Sequence, residues 1–172
     1  MAQPVEQDVL VLFDHLAPGL LRYALSMGLT GHQAEDVVQD AFLALFRHLR
    51  LGRPRDNLRA WLFQVTRNLA LKERRRSQRG AVALDIAAAQ RQSDPAPNPE
   101  AVLAADQRRR LLMSVVRALP LRDRQCLAMR ASGLKYREIA AALGVSLGAV
   151  AKSLARAGAR LVNAEAVKEQ GV

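Results

Sequence analysis

Residues 58–79, LRAWLFQVTRNLALKERRRSQR, read as one helix with a task at its far end. Leu58, Trp61, Leu62, Val65 and Leu69 recur at helical spacing and make one apolar stripe, in which Trp61 reads as core. Arg59, Gln64, Arg67, Asn68 and Lys72 lie mostly off that stripe and present donors to solvent or a partner. The end then turns basic, with Lys72, Arg74, Arg75, Arg76 and Arg79. One or two cations suit the negative end of a helix dipole, each worth about 0.3–1 kcal/mol. Five in eight residues exceed that need, and a polyanion is their natural partner.

The charge of the whole chain points the same way. The 172 residues carry a formal net charge of +10, unevenly spread. Residues 1–50 sum to −3, residues 51–79 to +7, residues 80–109 to −1 and residues 110–172 to +7. Two basic blocks suggest two contacts with nucleic acid, and the acidic start suggests one with a basic surface. Cys126 is the only cysteine, so no intrachain disulfide can form, which fits a reducing compartment. His15, His32 and His48 lack metal-ligand spacing, and no metal or cofactor is expected. No nucleophile, base and acid converge in the pattern, so an enzyme is not expected. The N-terminus lacks the charge and apolar core of a signal peptide. No apolar run is read as approaching the roughly 20 residues of a membrane span. The expectation is a cytoplasmic protein without membrane insertion.

Working outward, residues 5–27 read as a helix that Pro18 breaks or restarts. Thr30 and Gln33 have the spacing of a capping box, opening a helix to Arg50. Val37, Val38, Ala41, Phe42, Leu45 and Leu49 form its core face, opposite Glu35, Asp36, Gln39 and Asp40. LGRPRDN (51–57) is a basic turn carrying Arg53 and Arg55, with Asp56 and Asn57 as candidate caps for the next helix. Three helices thus make a small bundle over residues 5–79. AVALDIAAAQ (81–90) is a candidate short helix, and RQSDPAPNPE (91–100) reads as an extended linker within residues 80–107. Helices follow over 100–118 and 121–131. Then a short helix around Tyr136, Ile139 and Leu143, a turn at Gly144, and a second helix capped by Ser146 give the helix-turn-helix pattern. Residues 163–172 read as a fraying tail. The fold class is all-α: two small helical domains, 5–79 and 108–164, joined by a flexible linker.

These stretches together resemble the sigma-70 family, specifically its extracytoplasmic-function members. Residues 34–42, AEDVVQDAF, look like the region-two helix that docks on the polymerase clamp. Residues 59–63 with 67–70 look like the helix that handles the −10 element. Leu119-Pro120 with Arg124, then residues 136–140 and 143–146, look like region four. The resemblance implies a dissociable initiation subunit without chemistry of its own, whose partners are bacterial core RNA polymerase, promoter DNA and an anti-sigma factor. It implies polymerase contacts at Glu35, Asp36, Gln39 and Asp40. It implies −10 contacts at Arg53, Arg55, Asn57, Arg59, Gln64, Arg67, Asn68, Lys72, Arg74 and Arg75, where a flipped base would be held in the loop. It implies −35 contacts at Arg137, Ser146, Lys152, Ser153 and Arg156.

One stretch departs from the family. After Ser146 the chain reads LGAVAKS, with Leu147, Ala149 and Ala151 where polar residues are usual. Lys152, Ser153 and Arg156 remain as donors. Each good bidentate base contact is worth about 1–3 kcal/mol, so −35 recognition is expected to be weak or shape-based. Two other readings compete: a sigma mimic that only occupies an anti-sigma factor, and a simple helix-turn-helix repressor over residues 110–162. The basic end at Lys72–Arg79 speaks against the first, the acidic face at Glu35 against the second.

Overall fold

A computed structural model describes residues 5–80 and 99–169, and every regular element among them is helical. In chain order these are α1 (Val5–Ser26), α2 (Gly31–Arg50), α3 (Leu58–Gly80), α4 (Pro99–Ala118), α5 (Leu121–Ala131), α6 (Tyr136–Leu143) and α7 (Leu147–Glu169). The candidate helix at 81–90 and most of the linker lie outside the described residues.

Local chemistry sets the helix ends. The Gln33 N–H donates to Thr30 Oγ1 at 3.3 Å, and the Thr30 N–H donates to Gln33 Oε1 at 3.0 Å, so both halves of the capping box form. The Ala149 N–H donates to Ser146 Oγ at 3.2 Å, which caps α7. Gly144 closes α6 at φ 65°, a left-handed conformation that glycine adopts without penalty, and α7 departs at 106° to α6. That angle lies in the range of about 90–120° typical of a helix-turn-helix.

Four expectations need correcting. Pro18 does not break α1, which runs unbroken through it. Pro18 and Asp14 are both exposed, so the carbonyl left without a donor faces water. α1 is also long and apolar enough, by length and composition, to cross a membrane. Part of its apolar surface lies in the core, where Leu16, Leu20, Tyr23 and Ala24 are buried, whereas Leu10, Val11, Phe13 and Leu25 are exposed. α7 continues through residue 163 to Glu169 where a fraying tail was expected. Finally, α3 buries more than one stripe: Leu62 and Phe63 are fully buried along with Thr66 and Ala70.

That wider burial follows from how the two halves meet. α1 packs on α2, α3 and α5, and α3 packs on α2 and α6. Tyr23 and Phe63 from the first half share one buried cluster with Cys126, Met129, Leu134 and Ile139 from the second. The Tyr23 and Phe63 rings meet edge to face at 5.4 Å between centroids. The described residues thus close into one body along a seam.

Candidate nucleic-acid interface

The seam divides the expected −10 residues into two sets. Gln64, Asn68, Lys72 and Arg75 recur at helical spacing along one exposed stripe of α3. All four are exposed to solvent. Arg59, Arg67 and Arg74 lie toward the seam. A Cβ on Gly133, in the turn after α5, would lie 3.5 Å from Arg59 Nη1. Arg67 is half-buried beside Tyr23, and its Nε has no hydrogen-bond partner. Burial pushes the Tyr23 hydroxyl well above the ordinary phenol range, and the Arg67 charge only partly opposes that. Arg74 is half-buried near Arg124 of α5.

The loop before α3 is partly committed. Arg53 is exposed, whereas Arg55 forms an ion pair with Asp8 of α1. Asn57 is exposed at φ 53°, and its carbonyl accepts the Trp61 N–H at 3.1 Å. Among the described residues it is the one non-glycine with positive φ, a conformation asparagine tolerates better than most residues.

Glu35, Asp36, Gln39 and Asp40 are all exposed on α2. Asp36, Gln39 and Asp40 line the same open groove as Lys72, Arg75, Arg76 and Arg79 of α3, a space of about 760 Å³. The acidic face and the basic stripe are therefore neighbours across one groove, and the ion pairs found among the described residues do not join them.

In the second half the recognition helix loses donors. Ser153 is buried, which places it out of reach of a base edge. Arg156 grips Asp123 of α5 with two bonds, Nη2 to Oδ1 at 2.7 Å and Nε to Oδ2 at 3.0 Å. The same guanidinium donates to Ser153 Oγ at 3.3 Å. The fork holds the buried Asp123 carboxyl below the usual carboxylate range, against the opposing effect of burial. Ser146 Oγ accepts the Ala149 N–H at the helix cap, which leaves its exposed O–H able to donate. Arg137 and Lys152 remain exposed. Sequence spacing missed Asp123, which reads as an ordinary first-turn acid and lies 33 residues from its partner.

This arrangement, an exposed donor stripe on one bundle and a helix-turn-helix in the other, agrees with two family models. Sigma-70 region 2 matches residues 12–80, and sigma-70 region 4 matches residues 109–161. The chain belongs to the sigma-70 family. Curated relatives place it in the extracytoplasmic-function branch. It is 30% identical over 145 residues to the ECF RNA polymerase sigma factor EcfG of Rhodopseudomonas palustris, covering 84% of this chain and 77% of that one. It is 34% identical over 147 residues to the probable RNA polymerase sigma factor RfaY of Xanthomonas campestris pv. campestris, covering 81% of this chain. That match spans only 36% of the Xanthomonas protein. The fold is similar to that of the sigma factor RpoE of Bartonella quintana, solved with the anti-sigma factor NepR. The TM-score is 0.68 at 23% identity, over 94% of this chain and 96% of that one.

Proposed function

We propose that this sigma-70 family chain is a promoter-specificity subunit that binds bacterial core RNA polymerase, recognises and melts promoter DNA, and directs initiation in the cytoplasm. The observation that carries this is the exposed stripe Gln64, Asn68, Lys72 and Arg75, set on a rigid helix in the same chain as a helix-turn-helix. Neither a decoy nor a lone repressor needs both. Glu35, Asp36, Gln39 and Asp40 supply the acidic face for polymerase. Arg53 and Asn57 border the loop that would hold an extruded base, and Lys72, Arg74 and Arg75 supply phosphate contacts. Arg59 is already exposed beside the seam, and Arg67 and Arg74 join the DNA surface once the seam opens. In region four, Arg137 and Lys152 carry the outward charge, so −35 recognition leans on shape and backbone contacts. An anti-sigma factor is the second protein partner, a reading supported by the Bartonella complex to which the fold is similar. The protein performs no catalysis itself.

Run-off transcription with core polymerase on a library of genomic promoter fragments tests this. The expected result is discrete starts sharing a −10 element of high information content and a −35 element of lower content. Absence of core binding would overturn the proposal.

A further inference from the structure

The seam also holds a cavity to which, in the closed form, the proposed function assigns no ligand. It measures about 270 Å³ and lies between the turn joining α1 and α2, the basic end of α3, and α5. Arg74, Ser77 and Gln78 line it from the first half and Arg124 from the second, with Gln33 beside them; no carboxylate does. Both guanidiniums are half-buried. Among the described residues Arg74 makes no hydrogen bond or ion pair. Arg124 spends Nη1 on the Arg117 carbonyl at 3.1 Å, and its Nε is buried without a partner. Burial and the nearby Arg74 charge both hold the Arg124 pKa below the usual guanidinium value, and no facing acid offsets them. The hydroxyl of Ser77 is primed as well. It accepts from Gln33 Nε2 at 2.7 Å, which leaves its own proton to donate.

We propose that this cavity binds a phosphate-class oxyanion, which bridges Arg74 and Arg124 and so holds the two halves closed. Two guanidiniums and the Ser77 hydroxyl match the acceptors of such a group, while Gln33 Nε2 is committed to Ser77 and to Glu73 Oε1 at 3.1 Å behind it. The volume falls below the roughly 300 Å³ at which pockets for larger ligands begin, which suits phosphate or pyrophosphate. Arg74 and Arg124 come from different halves, so only the closed form carries the whole site. An anion at about 100 times its dissociation constant then raises the closed-to-open ratio about 100-fold. Closure half-buries Arg67 and Arg74, which the proposed function places on DNA, so the anion favours the inactive arrangement. The phosphate has two possible sources, a free anion or a nucleic-acid backbone.

The test is calorimetric titration of the full chain with pyrophosphate at constant ionic strength, with small-angle scattering in parallel. Saturable one-to-one binding with no expansion of the chain is expected. Arg74→Gln and Arg124→Gln should each weaken it about tenfold or more. Arg109→Gln, an exposed cation on α4, removes equal charge and should leave it unchanged. Arg124→Gln relieves the like-charge pair but gives up the bond to the Arg117 carbonyl, so its melting temperature without anion should stay close to the parent's. Loss of binding despite a retained melting temperature therefore reports on the site and not on folding. Equal weakening by Arg109→Gln, no weakening by either seam variant, or no saturable binding would overturn the proposal. A short duplex distinguishes the sources. If pyrophosphate displaces it and Arg124→Gln, at a residue given no other DNA role, weakens it, the backbone supplies the phosphate; if the duplex does not compete, the ligand is a free anion.

Discussion

Gly19, buried in the middle of α1, controls how closely the two halves approach. A Cβ there would lie 3.0 Å from Ser132 Oγ and 3.2 Å from Ser132 Cβ, at the end of α5. Rotating the hydroxyl away relieves only the first contact, and it surrenders the 2.9 Å bond from Ser132 Oγ to the Ala128 carbonyl. The Cβ contact remains in every rotamer, so backbone must move. Gly19→Ala therefore has two effects of opposite sign. Within α1 alone, alanine is favoured over glycine by about 0.8–1 kcal/mol. Across the closed seam, overpacking costs roughly 1–3 kcal/mol. The closed-to-open ratio should fall roughly 5- to 150-fold while the first bundle itself gains slightly. Two readouts separate these effects. The radius of gyration from scattering should rise, and the amides of α5 and α6 should exchange faster, while those of α2 keep their protection. Adding Ser132→Gly removes both offending atoms and should restore the parent's compactness. A Gly19→Ala chain that melts higher with unchanged radius and unchanged exchange in α5 and α6 would refute the reasoning, because the seam would then have absorbed the methyl.

Three further outcomes follow from the same geometry. Lys72→Gln with Arg75→Gln removes two cations of the exposed α3 stripe; if both contact phosphates, the log–log salt slope of promoter binding by the reconstituted polymerase should fall by about 0.7–0.9 per cation. An unchanged slope would place the phosphate contacts elsewhere. Ser146→Ala deletes the hydroxyl that accepts the Ala149 N–H and should lower stability by about 1 kcal/mol, read by urea denaturation followed at α7. Asp123→Asn breaks the charged fork with Arg156. Because the folded carboxyl sits below its ordinary value of about 3.9, its contribution is present above that pH and is lost as pH falls through the depressed folded value. The parent should therefore lose melting temperature steeply below about pH 4, and the Asn variant, weaker at pH 7, should show a flatter acid limb.

What the sequence made legible was local. The Thr30–Gln33 capping box, the Ser146 cap, the Gly144 turn and the α3 stripe all involve residues within a few positions of one another, and backbone geometry fixes what such spacings do. What escaped depends on distance along the chain. Nothing near Phe63 or Thr66 announces that a second half will cover them, and α3 reads as a helix buried on one side until α6 is placed against it. Arg156 and Ser153 look like donors for DNA because the helix presents them in series; the buried Asp123 that claims Arg156 comes from another helix. The composition of residues 80–107 suggests two domains free to move, yet the described halves share Tyr23, Phe63, Cys126 and Met129 in one core. These two facts are compatible, because the seam is not uniformly apolar. Tyr23 Oη, Thr66 Oγ1, Arg67 Nε, Arg124 Nε and Gln125 Nε2 are buried without hydrogen-bond partners. Each buried polar group left unpaired costs about 1–3 kcal/mol relative to a hydrated one. Opening the seam would let water reach groups that closure leaves unmet, while giving up apolar contacts such as that between Phe63 and Tyr23. Opposing terms thus act across the seam, and a methyl at Gly19 would add to those that favour opening.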